Sequence, residues 1–250
     1  MIGGTGGSGT RLVMRIVRRT GRYMGSNLNP FDDALDLARF DWHWGVRYLR
    51  ARATGKEQEM AVWMARDHDE AVFRHLAPLG DRRQAPWGWK HPHSYLMLPF
   101  LNERHRDLRF VHVVRDGRDM AFSSNQQQAL HYGPVAPGER GASAAAGAVR
   151  SAAFWAWANG LAAEDGRRHL GERYLCVRFE DLCEEPRGTV ARLLDFACDG
   201  AADDELIAQA VAEISPPASV GRWRRAEVNL ATAVTDAARP VLRRFGYLEG

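Results

Sequence analysis

Gly3-Gly4-Thr5-Gly6-Gly7-Ser8-Gly9-Thr10 is the stretch that decides the fold. Glycines let backbone amides come close to an oxyanion. Thr10 to Thr20 then reads as a helix. Leu12, Val13, Ile16 and Val17 fall on one side of it, and Arg15, Arg18 and Arg19 on the other. A helix N-terminus adds unpaired N–H groups and a partial positive charge. Ser8 and Thr10 add hydroxyl donors. The segment is suited to a phosphate or sulfate; the bland alternative is a glycine-rich turn.

Two familiar anion loops fit poorly. Gly4, Gly6 and Gly9 satisfy the dinucleotide spacing G-x-G-x-x-G. That pattern needs a second strand about 20 residues on, ending in an acid for the ribose. Here Arg22 to Phe31 is polar and turn-like. The ATP-type loop needs a lysine after its last glycine, and Gly9 is followed by Thr10 and Arg11.

A second anion signal lies in RFVHVVRDGRDMAFSSN, residues 109–125. A strand delivers Arg115 at its C-terminal end, Asp116-Gly117 turns the chain, and a helix from Gly117 to Gln128 places Ser123 on its second turn. Arg115 and Ser123 then converge on one oxyanion at the carboxyl edge of the sheet, where open α/β sheets bind ligands. The competing reading is a local salt-bridge cluster of Arg115, Asp116, Arg118 and Asp119.

Outward from these two segments, short apolar runs alternate with longer helical ones. Met1-Ile2 is the stub of a strand. Pro86–Lys90, Arg109–Arg115 and Arg173–Phe179 are further strand candidates. Asn29-Pro30 reads as an N-cap and first helical residue of a helix reaching about Arg52. Other helices are expected over 57–77, 94–105 with Pro99 as a kink, 142–170, 180–198, 203–214 and 231–245. Leu130 to Gly141 reads as a loop. No repeat or linker divides the chain, so residues 1–250 are expected to form a single α/β domain around a parallel sheet.

Composition excludes several classes. Hydrophobic residues make up 45% and charged residues 26% of 250, close to ordinary globular usage. The net charge of +3 is no nucleic-acid footprint. Of 34 basic residues only Lys56 and Lys90 are lysine. The three cysteines, Cys176, Cys183 and Cys198, form no close pair, so a reducing, cytoplasmic compartment is expected. No apolar run of 18 residues is present, and no charged region precedes an apolar one, so neither a transmembrane segment nor a signal peptide is expected. Metal-ligand spacings are missing as well, and no metal is expected.

Read together, these segments resemble sulfotransferases that use 3′-phosphoadenosine 5′-phosphosulfate (PAPS). Ser8-Gly9-Thr10 is similar to that family's 5′-phosphosulfate loop. Trp87-Gly88-Trp89-Lys90-His91-Pro92 is similar to the Lys-x-Pro element of bacterial members. RFVHVVRDGRDMAFS is similar to the 3′-phosphate element, with Arg115 and Ser123 at its separation. RYLCVRFEDL, residues 173–182, is similar to the later strand and its Glu-Asp-Leu turn. Val220-Gly221-Arg222-Trp223-Arg224 is similar to the segment that closes over the nucleotide.

The resemblance implies a three-layer P-loop-like fold, a central parallel sheet flanked by helices. It also implies transfer of a sulfuryl group from PAPS, as co-substrate, to a hydroxyl of a small metabolite, sugar or peptide. Gly6, Gly7, Ser8, Gly9, Thr10 and Arg11 would hold the 5′ end, and Arg115, Ser123 and Arg222 the 3′ end. Lys90, with Arg11 assisting, would meet the charge on the leaving oxygen. His91 is the candidate base, since imidazoles titrate near neutral pH; His93, Asp41 and Glu180 are the alternatives. Two features depart from the family pattern. Gly7 stands where many members carry a lysine or arginine, and the first strand is very short. A P-loop kinase and a catalytically silent nucleotide-binding homologue are the competing readings. The acceptor and the oligomeric state are not legible.

Overall fold

The structure is a computed structural model and describes residues 1–133, 135–136, 144–198 and 202–249. Its frame is a parallel sheet of three strands in the order β1 (Ile2–Gly3), β2 (Phe110–Val114) and β3 (Tyr174–Arg178). Ile2 pairs with Val111, and Val114 with Arg178 at the far end of the β2–β3 ladder. The segment read as a strand over Pro86–Lys90 is reduced to isolated parallel bridges, Ile2 with Lys90 and Tyr23 with Trp87. It still runs along the free edge of β1: Ile2 N donates to Trp89 O, and His91 N to Ile2 O.

Strand alternation sends residues to two faces. Ile2, Val111, Val113 and Val177 pack with α1 (Thr10–Arg18), α9 (Pro186–Cys198) and α10 (Asp204–Val211). On the other face Phe110 joins the core beneath α2 (Leu35–Ala53), α3 (Glu57–Leu76) and α4 (Leu98–Arg104). Val114 on that face meets α5 (Gly117–Ala121), α7 (Ala144–Asp165) and α11 (Val228–Arg244). The result is the expected parallel sheet between helical layers. α6 (Gln127–Tyr132) and α8 (Phe179–Glu184) complete the helices. Among the described residues no helix is long and apolar enough to cross a membrane.

Four boundaries depart from the sequence reading. Asn29 is not a helix cap. Its Oδ1 accepts from the amides of Phe31 and Asp33, and Asp32 takes a left-handed φ of 62°, so a turn precedes α2. Residues 94–105 split into a 3-10 turn, Ser94–Met97, and α4, with Pro99 in the first turn of α4 where its missing N–H costs nothing. The stretch 117–128 breaks after Ala121, because the Gln126 amide donates to Met120 O and Ser123 O and takes up the carbonyls of the helix end. Pro186 likewise separates α8 from α9. The expected loop at 130–141 begins inside α6, and its residues 134 and 137–141, like 142–143 of the next helix, lie outside the described residues.

Candidate functional site

Three turns leave the carboxyl edge of the sheet side by side. One is the glycine loop after β1, one is His91–His93 after the bridged edge, and one is Arg115–Asp116 after β2. They border a single cleft of about 1280 Å³, which α1 and α2 also line. A smaller cavity of about 650 Å³ sits at the opposite strand ends, beside Met1, Trp87 and Arg109, and touches none of the loop residues.

Neighbouring side chains hold the loop in shape. Gln128 accepts from Gly6 N at 3.0 Å and donates to Pro92 O at 2.9 Å, tying the first turn to the second. Asn159 donates to Thr5 Oγ1 at 2.8 Å, while its own Oδ1 lies 3.0 Å from His112 Nε2. Gly9 has a φ of 98°, and a Cβ there would lie 2.3 Å from the Phe179 ring, so only glycine fits. Gly7 is also left-handed, at φ 94°. That accounts for a glycine at this position: a lysine or arginine would carry the strain of positive φ.

The loop presents unsatisfied donors. The amides of Gly7, Gly9, Thr10 and Arg11 have no backbone acceptor among the described residues. Ser8 is fully buried, and its Oγ has no partner among the described residues. Leaving such a group unpaired costs about 1–3 kcal/mol, which an oxyanion would relieve.

Arg115 is 4% exposed and lines the same cleft. Its Nη2 donates to Ser219 Oγ at 3.0 Å, it lies 3.5 Å from Asp119, and its buried Nε has no partner among the described residues. Asp116 pairs with Arg118 at 2.7 Å. The salt-bridge cluster thus exists, yet it leaves Arg115 with spare donor capacity. Asp119 accepts from the amides of Gly221 and Trp223 and so docks the C-terminal segment on α5. Arg222 is brought near Arg115: burial first, and then the charge of Arg115, push its pKa down. Arg222 is outside the cleft wall; its guanidinium donates to Ser219 O at 3.1 Å.

Ser123 is not on the second turn of a helix, since α5 ends before it. Its hydroxyl accepts from Asn125 N, and it borders a different cavity beside Gln126 and Leu230. Its chain neighbours Met120 and Asn125, not Ser123 itself, approach the loop. A Cβ on Gly6 would lie 3.3 Å from Asn125 Nδ2, and one on Gly7 would lie 3.3 Å from Met120 Cε.

Lys90 and His91 both reach the cleft but face different partners. Lys90 is 1% exposed and donates to Asp33 Oδ1 at 2.5 Å and to Phe31 O at 2.6 Å. Burial pushes its pKa down, and the Asp33 carboxylate pulls it back up. Its charge is therefore committed to the 29–33 turn. Arg11 is exposed on the same wall and has no ion pair among the described residues. His91 Nδ1 lies 2.5 Å from Asp41 Oδ2, and its Nε2 has no partner among the described residues.

The alternative bases are placed less favourably. Asp41 is 1% exposed and holds His91 and Ser94. Glu180 accepts from Asp116 N and Tyr247 Oη, away from the cleft. His93 lies beside Tyr132 Oη at 3.2 Å, and burial holds its pKa well down, followed by the charges of His91 and His131.

Asp33, Gln128, Asn159, Phe179 and Ser219 had no individual signal in the sequence. They are ordinary residues brought together by chain crossings. The site as a whole offers two groups of anion donors and, at His91, an imidazole whose inner nitrogen is held by a carboxylate.

A family model described as "Sulfotransferase family" matches residues 1–199, which includes the loop, Lys90, His91 and Arg115 but stops short of Arg222. No curated protein sequence matches the chain. Among solved structures, the sulfotransferase domain from the Synechococcus PCC 7002 olefin synthase is similar over 100% of this chain and 94% of that one, at 18% identity and a TM-score of 0.48. With well over half of its length inside the family match, the chain belongs to the sulfotransferase family.

Proposed function

We propose that the protein transfers a sulfuryl group from PAPS to a hydroxyl acceptor, using residues 1–250 as one domain, and that it works in the cytoplasm. The observation that carries this reading is the pair of unsatisfied buried donors, Ser8 Oγ and Arg115 Nε, beside turns that border one cleft. A ligand with anionic groups on both the 3′ and the 5′ oxygen of one ribose suits such a pair.

The residues present fit that co-substrate. The amides and hydroxyls from Gly6 to Thr10 would hold the 5′-phosphosulfate, and Arg115 the 3′-phosphate; Arg222, near Arg115, and Ser123, which borders the neighbouring cavity, would have to turn toward it to contribute. When bound, the nucleotide supplies an activated sulfuryl group. The chain supplies position and charge. His91 Nε2 takes the acceptor's hydroxyl proton, while Asp41 holds the opposite nitrogen. Arg11 faces the charge that develops on the leaving oxygen, with Lys90 as the second cation.

A nucleotide-binding homologue without turnover is the alternative, favoured by the engagement of Lys90 with Asp33. Calorimetric titration with adenosine 3′,5′-bisphosphate, AMP and ATP tests the cofactor. Preference for the 3′-phosphorylated ligand, lost in Arg115→Ala, is the expected result; equal binding of all three would overturn it. Formation of sulfated product, independent of Mg²⁺, separates an active enzyme from the silent homologue and from a kinase.

A further inference from the structure

The wall of the cleft formed by α2 presents side chains that are not among the proposed nucleotide contacts. Leu35, Ala38, Arg39, Trp42 and His43 all line it, and their spacing puts them on one face of the helix. Trp42 is 40% exposed. Its ring lies 4.5 Å from His93, and His93 stacks on His91 at 4.8 Å with an interplanar angle of 24°. A continuous run of rings therefore leads from the proposed base to the exposed indole. His93 stays uncharged at neutral pH because burial and the neighbouring histidines disfavour its proton. His91 and His93 are stacked, and the Trp42 indole meets His93 at a tilt of 49°, so the run offers ring faces and edges to an aromatic ligand.

Charge in the cleft as a whole is one-sided. The cleft is lined by Arg11, Arg15, Arg39, Lys90 and Arg115 against Asp33 and Glu213. Asp33 is taken by Lys90, Glu213 by Arg19, and Arg15 is paired with Asp32. Arg39 is exposed, one turn before Trp42 and His43, and has no hydrogen bond or ion pair among the described residues. It stands on α2, whereas the glycine loop precedes α1 and Arg115 follows β2. A cation beside an aromatic platform recognises a ring that carries an anion.

We infer that this wall is the acceptor subsite and that it selects an aromatic hydroxy acid, with the hydroxyl toward His91, the ring along His93 and Trp42, and the carboxylate at Arg39. That the ligand is an acceptor rests on the sulfotransferase reading; the binding chemistry does not.

The test is a binding titration of the nucleotide-free protein, followed by NMR, with 4-hydroxyphenylacetate, its methyl ester and glucuronate. The expected result is binding of the hydroxyaryl acid at least tenfold tighter than either of the others. Arg39→Gln should abolish the difference between acid and ester, Arg39→Lys should retain part of it, and Trp42→Ala should weaken acid and ester alike. Both side chains are exposed, and unchanged melting temperatures would exclude misfolding as the cause. Equal binding of acid and ester, glucuronate binding as tightly as the aryl acid, or no binding of any probe would each overturn the assignment. A parallel titration with adenosine 3′,5′-bisphosphate separates the two claims. Loss of that binding with retention of the aryl acid sinks the cofactor reading alone.

Discussion

Asp41 Oδ2 lies 2.5 Å from His91 Nδ1 and accepts the Ser94 hydroxyl at 2.5 Å as well. Ser94 Oγ in turn accepts from Trp89 Nε1 at 3.1 Å. A buried chain from the edge segment through α2 thus fixes the imidazole by its inner nitrogen and leaves the outer one for the cleft. A carboxylate in this position selects the tautomer with its proton on Nδ1, which makes Nε2 the acceptor.

Asp41 is accordingly a positioning residue. Asp41→Asn should lower kcat by about 10²–10⁴-fold, the range for a misdirected general base, with adenosine 3′,5′-bisphosphate binding unchanged. The pH–rate profile should shift, and Asp41→Glu should recover part of the rate. Steady-state rates across pH check this. A variant that loses only stability and keeps its profile would assign Asp41 to packing.

Acid should destabilise the fold through its buried histidines. His112 sits between Tyr174 Oη at 2.9 Å and Asn159 Oδ1 at 3.0 Å, and burial pushes its pKa down to about 4. His68 and His105 are pushed to about 4 in the same way, burial again being the main cause. The unfolded imidazole takes its proton near pH 6.5. Between those values the unfolded chain binds more protons, so stability is full above about pH 6.5 and falls as pH drops toward 4. For one such group the loss is on the order of 3 kcal/mol. Thermal melts of the wild type and His112→Gln across this window should show a flatter acid limb in the variant.

Gly9→Ala tests the loop. The added methyl meets the Phe179 ring at 2.3 Å, at a φ of 98°. Strain and overpacking together should cost about 1–3 kcal/mol. Nucleotide binding should weaken as well, because Phe179 also packs under Arg115, whose guanidinium carbon lies 5.1 Å from the ring centre. Calorimetry and a denaturant melt on one preparation read both effects.

What could be read from sequence follows from the range of the interactions. β2 was legible because Phe110 to Val114 is apolar and β-branched or aromatic at every position but His112, as suits a strand buried on both faces. The glycine loop was legible because its conformation is written locally in residue type. Asn29 misled because the same short amide caps a helix or closes a turn, and the choice is made by Lys90, whose carbonyl accepts from Ala34 and whose ammonium holds Asp33. Ser123 was misplaced because Gln126, further along the chain, ends the helix first. Lys90 stood out by rarity, but its partner Asp33 could not be found without the fold. The same holds for Asp41, fifty residues from His91 in the chain.

Lys90 and Arg11 can be told apart by what each variant loses. Lys90 is bound to Asp33 in a nearly dry site, with side-chain exposures of 2% and 13%. Removing one partner of such a pair costs about 3–5 kcal/mol, because the other is left as an unpaired charge. Lys90→Met should therefore lower the melting temperature and loosen the 29–33 turn, and Asp33→Asn in the same background should restore much of the stability. Arg11 is exposed and unpaired among the described residues, so Arg11→Gln should leave the melt unchanged. If Arg11 meets the leaving oxygen, that variant lowers kcat by about 10²–10³-fold, the usual effect of removing one preorganised donor. A Lys90→Met, Asp33→Asn double variant with wild-type stability and full turnover would remove Lys90 from the chemistry. The same protein with kcat still depressed would show that the lysine also acts on the reacting group.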